Sequence, residues 1–345
     1  MPVFNHPDLV KVMIDSILAN NFLEWELLAV DDGSDAPTLE LLETYTEADS
    51  RIRLVHRDRL PKGAQTCRNM GLEQAKGEFV AFFDSDDYVM PHCLETRVRH
   101  LSQRPELDFM VFPSGVYRED AFHAEDFPFV FGYPVFADDL TAFVSRTLPF
   151  VVWNNLYRRE ALQLNDIQWD EQLKSLQDCD FNVLCLLKGL HYDYATTLPD
   201  YGYRNQVTGS VTQKSKSEEH FQNTLYAQEK FYQNMPQGYK RALFVGILNL
   251  YKRMFPDSVD MTRAGRLKDV VMRYDKWRGT LMCALLASTS FLNKFLKSRT
   301  ASRWALAPFL IYSYFLSHRL THRRQQLYKQ YITIQASFRA EQSNM

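Results

Sequence analysis

Cysteine is scarce in this chain: five residues in 345, none in a C-x-x-C pair and none clustered with histidine. That pattern argues against a disulfide scaffold and a structural zinc site, and it suits a reducing compartment. Long apolar runs are also lacking. The longest charge-free stretches, Gly279–Asn293 and Trp304–Ser317, hold 15 and 14 residues. Both fall short of the roughly 18–20 residues that span a bilayer. The opening residues carry Pro2, Asn5, Pro7 and Asp8 where a secretory leader would carry a basic and then an apolar segment, so no leader is expected.

What is present is a globular composition, 46% hydrophobic and 24% charged, in a chain long enough for one large domain or two ordinary ones. The net charge of −2 hides an asymmetry. Through Gln213 there are 18 Lys and Arg against 34 Asp and Glu; from Lys214 onward there are 22 against 8. An acidic body therefore carries a basic tail. Such a tail suits an anionic partner (a membrane surface, a phosphorylated substrate or nucleic acid) or packs on the acidic body itself.

The first half alternates strand and helix signals, the order of a mostly parallel α/β sheet. Helical stripes run through 8–20, 37–45 and 63–76, and strand runs through 25–30, 51–55 and 77–83. Only Met1-Pro2-Val3-Phe4 precedes the first turn, so the chain reads as starting in the last residues of a strand, with Met1 expected to be an internal methionine. Residues 109–113 form a further strand, and 115–139 read as loop. After Trp153 to Tyr157 comes the segment Gln177-Asp178-Cys179-Asp180-Phe181, followed by an apolar helix from 182 to 188, then short strands at 191–197 and 201–204. Beyond Ser217 only helical signals remain.

Two of the early strands end in acid. Asp31-Asp32-Gly33-Ser34 follows one, and Asp84-Ser85-Asp86-Asp87 follows the run Gly77 to Phe83. Ligands of open α/β sheets bind at the carboxyl ends of strands. Carboxylates crowded there repel one another unless a cation joins them, and Mg²⁺ or Mn²⁺ binds readily beside substrate phosphates. The alternative is an Asp/Ser turn that merely caps a strand or a helix. Two such clusters at equivalent sheet ends favour one shared site.

The series Pro2-Val3-Phe4-Asn5, Val30-Asp31-Asp32-Gly33-Ser34, Arg68-Asn69-x-Gly71, Gly77-Glu78-Phe79-Val80 and Asp84-Ser85-Asp86-Asp87 resembles the family 2 inverting glycosyltransferases of GT-A fold. The likeness is strong over about the first 100 residues and looser to about residue 213, through Gln177-Asp178-Cys179-Asp180-Phe181 and Tyr203-Arg204. It implies a catalytic domain over 1–213 and a basic, mostly helical region over 214–345. It also implies a nucleotide-sugar donor, with UDP-sugars foremost, a glycan or lipid-linked acceptor, and a divalent metal, Mn²⁺ or Mg²⁺. By position, Asp32 would bond the nucleotide base, while Pro2, Phe4, Gly63 and Arg68 would line the donor. Asp84 and Asp86 would make the D-x-D metal motif, and Asp87 would contact the sugar or ribose. Asp178 would be the general base, and Trp153 would stand on the acceptor side. Gln177 departs from the pattern, since the family usually has Glu there.

Those roles suit the chemistry. Inverting transfer needs a base on one face of the sugar and stabilised charge on the departing diphosphate at the other. Rival readings fare worse. A nucleotidyltransferase wants a glycine-rich basic loop where Asn5-His6-Pro7-Asp8 stands, and a D-x-D-x-T/V phosphatase fails at Tyr88. A degenerate, non-catalytic sugar-nucleotide binder is disfavoured because all the acidic positions are present. Nucleic acid is not expected, because the tail's aromatic residues lie in apolar stretches rather than among its bases. The arginine-flanked apolar stretches of the tail suit either a membrane-surface anchor or a hairpin packed on the body or on a second subunit. The expected location is the cytoplasm, or the cytoplasmic membrane face.

Overall fold

The computed structural model describes residues 1–118, 121–123, 131–134, 138–204, 217–254, 261–296 and 326. The chain divides into two compact units: Met1–Pro134 with Phe150–Thr208, and Val135–Pro149 with Gly209–Gln326.

The first unit opens with β1 (Pro2–Val3), α1 (Pro7–Leu18), β2 (Leu27–Asp31), α2 (Ala36–Ala48), β3 (Ile52–His56) and α3 (Ala64–Gln74). These strands pair in the order β1-β2-β3, all parallel, with Val3 opposite Asp31 and Asp31 opposite His56. Local chemistry starts the helices where they start. Pro7 occupies the first turn of α1, where its missing N–H costs nothing. Asp35 caps α2, accepting from the Thr38 N–H at 3.2 Å.

Next come β4 (Phe79–Val80), β5 (Tyr88–Val89), α4 (Cys93–Ser102), β6 (Phe109–Val111), β7 (Ser114–Arg118) and β8 (Ala121–His123). After α5 (Asp139–Val144), which groups with the other unit, follow β9 (Asn155–Arg158), α6 (Arg159–Leu164), α7 (Gln177–Leu187), β10 (Tyr192–Tyr194) and β11 (Tyr201–Tyr203). They pair as β10-β6-β9-β4 and β5-β11-β7-β8.

Two features differ from expectation. The apolar run before the second acidic cluster forms only two residues of ladder, and β4 pairs antiparallel with β9 rather than in parallel. Antiparallel pairs are as numerous as parallel ones among the described residues, four of each. Part of the expected loop 115–139 is instead the β7–β8 hairpin. Its scattered aromatics hid the alternation.

The core between α1, β1 and β2 is built by Val3, Val10, Met13, Ile14 and Ala29, and it continues to Phe83, Val89, Trp153 and Tyr201. The polar contents of this unit are as fixed as its apolar ones. Arg97 of α4 and Asp200, both fully buried, join through two hydrogen bonds of 2.8 and 2.6 Å, and Arg97 also donates to the Trp153 carbonyl.

In the second unit the described residues form helices only: α5, α8 (Glu218–Asn234), α9 (Lys240–Met254), α10 (Met261–Tyr274) and α11 (Lys276–Leu296). Gly246 lets α9 meet α5 closely, for a Cβ there would stand 2.1 Å from the Val144 carbonyl oxygen. Glu218 of α8 pairs with Arg263 and Arg266 of α10. No described helix is long and apolar enough to cross a membrane. The stretch Trp304–Ser317, its flanking arginines and the charge switch before Ser217 lie outside the described residues.

Candidate active site

The acidic end of β2 is organised by its own turn. Asp31 accepts from the N–H groups of Gly33 and Ser34 at 3.1 and 2.9 Å. Burial alone would raise its carboxyl, but the bonds from Ser34 and Gly33, with His56 alongside, hold it below the ordinary range. Asp32, 6% exposed, faces a different set of partners. Arg57 Nε donates to its Oδ1 at 2.6 Å, and the Gly63 N–H reaches the same oxygen at 3.2 Å. Gly63 has φ +150°, a conformation that favours glycine, and it leads directly into α3.

The Arg68-Asn69-x-Gly71 segment of α3 resolves into three distinct jobs. Arg68, 5% exposed, donates to Asp84 Oδ1 at 2.5 Å and to the side-chain oxygen of Gln177 at 3.0 Å. The guanidinium also lies 3.8 Å from Asp178 Oδ1 and 4.4 Å over the Trp169 ring. Asn69 reads the backbone of Trp169 in both directions, at 2.8 and 2.9 Å. Gly71 sits against Val30, so the helix lies close on its strand.

Asp84 and Asp178 thus lie on either side of one guanidinium, although 94 positions separate them. Asp178 stands in the first turn of α7, where the helix dipole favours a carboxylate. Its side chain is 31% exposed, yet its Oδ1 is enclosed and accepts no hydrogen bond from the described residues. Burial pushes its carboxyl up to about 6, against the pull of Arg68 and with a further push from Asp84. The helix is held by aromatic packing: Phe181 stacks on Trp169 at 4.3 Å, and Phe82 meets both edge-on.

In the acidic turn the three carboxylates have separated. Asp84 is bonded to Arg68. Asp87, expected to contact sugar or ribose, is instead 1% exposed, and both its oxygens are engaged, by the Tyr201 hydroxyl at 2.6 Å and the Arg204 N–H at 2.7 Å. Burial and the charges of Asp86 and Asp84 push its carboxyl well up. Asp86 has no side-chain partner among the described residues. Burial, then the neighbouring Asp84 charge, pushes its carboxyl up to about 6.

Among the described residues no three His, Cys, Asp or Glu side chains converge into a cage. A pair of oxygens completed by substrate phosphates is nonetheless an ordinary setting for Mg²⁺ or Mn²⁺. An enclosed carboxylate whose charged form is disfavoured is the donor a hard cation would relieve. By that test the residues present fit a divalent ion at Asp86, with Asp84 beside it.

The remaining expected residues fall around this centre. Pro2 is buried in β1, and Phe4 is 47% exposed with Lys62 Nζ 3.7 Å above its ring. Trp153 is enclosed, stacked between Tyr201 and Tyr203 at 5.6 and 5.1 Å, and its indole N–H has no partner. Sequence reasoning missed Arg57, Tyr201 and the Arg97–Asp200 pair. Only Arg57 carried a signal, as a base following the strand next to Asp32.

The sequence profile of glycosyl transferase family 2 matches residues 1–163. Residues 1–163 form a glycosyl transferase family 2 domain. This glycosyltransferase is 26% identical over 243 residues to the glycosyltransferase EpsJ of Bacillus subtilis, covering 67% of this chain and 68% of the relative. It is also 26% identical over 251 residues to the poly(ribitol-phosphate) beta-N-acetylglucosaminyltransferase TarS of Staphylococcus aureus, where the match spans 72% of this chain but only 40% of TarS. Among solved structures, TarS 1–349 in complex with UDP-GlcNAc superposes with a TM-score of 0.63 at 19% identity, covering 94% of this chain and 90% of that one. The mannosyltransferase PcManGT of Pyrobaculum calidifontis, in complex with GDP-Man and Mn²⁺, gives 0.50 at 17% identity over 90% and 84%. At those identities the likeness is one of fold, and the fold is GT-A.

Proposed function

We propose that this glycosyltransferase moves a sugar, with inversion, from a nucleoside diphosphate sugar to a hydroxyl of a glycan or lipid-linked acceptor, with Asp178 as general base. The observation that carries the reading is the placement of Asp178: a carboxylate 31% exposed in the first turn of α7, 3.8 Å from the guanidinium that also holds Asp84, whose Oδ1 accepts no hydrogen bond from the described residues. A base needs an unengaged lone pair and a pKa near working pH, and burial supplies the second by lifting this carboxyl to about 6. The acceptor oxygen bonds the anomeric carbon as the bond to the diphosphate oxygen breaks. The hydroxyl proton passes to Asp178, and the electron pair leaves with the diphosphate.

On the donor side, Asp32 with the Gly63 turn would receive the nucleotide base, with Pro2 and Phe4 lining it and Trp153 on the acceptor side. Arg68, paired with Asp84, would supply positive charge at the diphosphate end. Asp86, with Asp84, would hold a divalent ion, which supplies positive charge where the diphosphate departs. The nucleotide and metal in two fold neighbours, UDP-GlcNAc with TarS and GDP-Man with Mn²⁺ in PcManGT, support a donor of this class. UDP-sugars come first.

The test is a thermal-shift panel of UDP-, GDP- and dTDP-sugars with and without Mn²⁺, since a bound donor stabilises the native state by mass action. One donor class should raise the midpoint in a Mn²⁺-dependent way; no shift with any of them sinks the proposal. Asp178→Asn should then keep that shift while losing transfer.

A further inference from the structure

The Tyr201 hydroxyl lies at the centre of the acidic turn. It accepts from the backbone N–H of Asp84 at 3.2 Å and donates to Asp87 Oδ2 at 2.6 Å. One atom therefore ties together the first and last acidic residues of Asp84-Ser85-Asp86-Asp87. Asp86 lies between the two tied points, and among the described residues it is the only carboxylate of the turn without a side-chain partner.

The hydroxyl itself has little freedom. The Tyr201 ring is fully buried, stacked on Trp153 at 5.6 Å with planes 11° apart and packed against Phe83 at 5.3 Å. Its strand β11 pairs with β5 on one side, through Tyr201 opposite Val89, and with β7 on the other. The preceding residue, Asp200, is locked to Arg97. Three residues on, the Arg204 N–H takes the other Asp87 oxygen, and Arg204 Nε donates to the Asp86 carbonyl at 3.0 Å. Arg204 is held in turn over the Tyr117 ring at 4.9 Å.

A turn of four residues bearing three carboxylates has every electrostatic reason to splay. Asp87, buried among like charges, cannot do its part by solvation. It needs donors, and the Tyr201 hydroxyl and the Arg204 N–H are those donors. Because the same hydroxyl also accepts from Asp84, its position fixes the span of backbone from which Asp86 projects. A carboxylate that must meet a small hard cation has little tolerance for misplacement, since Mg²⁺ and Mn²⁺ sites demand near-ideal geometry at short distance.

We infer that Tyr201 is a positioning residue for the divalent cation: its hydroxyl sets the Asp84–Asp87 turn so that Asp86 is preorganised for the ion. The inference rests on the reading of Asp86 as the metal ligand, and the experiment separates the two. Mn²⁺ binding is measured without turnover, by titrating the full chain with Mn²⁺ in the presence of UDP and reading free Mn²⁺ by electron paramagnetic resonance. Four proteins are compared: wild type, Tyr201→Phe, Asp86→Ala and Leu42→Ala. The last removes fully buried apolar volume from α2, away from the strands that hold Tyr201, and it matches a general loss of stability.

Tyr201→Phe deletes one oxygen, breaking one bond to a charged group and one to an amide, and should raise the Mn²⁺ half-saturation about tenfold. Leu42→Ala should lower the thermal midpoint and leave half-saturation near wild type. If Asp86→Ala binds Mn²⁺ as wild type does, the metal reading itself is wrong. If Asp86→Ala fails to bind but Tyr201→Phe binds normally, the positioning role is overturned while the metal reading stands. A rise of equal size in Leu42→Ala also overturns it, because it would follow stability rather than the hydroxyl.

Discussion

Arg68 and Asp84 form a 2.5 Å ion pair whose guanidinium is 5% exposed, and the same guanidinium faces Asp178 at 3.8 Å. One buried cation therefore stands between the carboxylate proposed to serve the donor and the one proposed to serve the acceptor. Arg68→Ala leaves both acids uncompensated. The expected cost is about 3 kcal/mol of stability, at the low end for a broken buried pair because Asp84 and Asp178 keep 26% and 31% exposure. Arg68→Lys keeps the charge but lacks the planar fork that reaches Gln177 and Asp84 together. It should fold near normally and lose transfer by about a hundredfold, measured as kcat/KM for the donor. Full activity in Arg68→Lys would show that the fork is not needed.

Asp178 gives a pH prediction whose sign can be worked through. A base must be unprotonated to act, so kcat/KM should fall as pH drops through about 6, the value to which burial lifts this carboxyl. Stability runs the other way. The folded pKa lies above the ordinary 3.8 of an aspartate, so between those values the folded state holds the extra proton and loses stability as pH rises. Asp178→Asn removes that penalty. Its thermal midpoint should exceed wild type by about 2–4 °C at pH 8 and match it at pH 4, while transfer is lost at both. A midpoint at or below wild type at pH 8 would mean that the Arg68 contact outweighs burial.

Much of this site could be read from the chain, and the rest could not for identifiable reasons. The alternation over β1 to α3 and the acids closing β2 and the run to Phe83 are local signals: a two- or 3.6-residue period followed by turn chemistry. They led to Asp32, Asp84 and Asp86, whereas Asp178 came from the resemblance to the family 2 glycosyltransferases. Pairing of β4 with β9 spans some 78 positions, and no local period encodes it. Asp87 looked like its neighbours in sequence, and only the fold shows it turned inward onto Tyr201. Tyr201 itself sits in Tyr201-Gly202-Tyr203, where either tyrosine could have been the buried one. Arg97 and Asp200 were invisible too, since a lone arginine in a mixed helix reads as surface.

Asp32 is tied to Arg57 and to the Gly63 N–H, a partly satisfied carboxylate on a rigid turn. As the proposed acceptor of a nucleotide base N–H, it should matter for the nucleoside and not for the cation. Asp32→Ala is expected to weaken UDP binding about tenfold by calorimetry, the scale of one lost charged hydrogen bond. The Mn²⁺ half-saturation measured at saturating UDP should stay unchanged. A variant that binds UDP normally would move the base-binding role elsewhere on the β1–β2 edge.

The Arg97–Asp200 pair tests whether the buried polar frame serves stability or placement. Both side chains are fully buried and doubly bonded, so Arg97→Met strands a carboxylate with no route to water and should cost about 3–5 kcal/mol in urea unfolding. Arg97→Met combined with Asp200→Leu removes both charges. Buried pairs replaced by apolar groups of similar volume commonly recover most of the loss, so the double variant should unfold near wild type. Placement is a separate matter. Asp200 precedes Tyr201, and Arg97 also holds the Trp153 carbonyl at 2.7 Å, so the double variant loses the bonds that aim the Tyr201 ring. It should recover its stability yet still bind Mn²⁺ several-fold more weakly than wild type. Recovery of both would show that apolar packing alone suffices to hold the ring. Recovery of neither would show that the pair is worth more to the fold than its hydrophobic replacement.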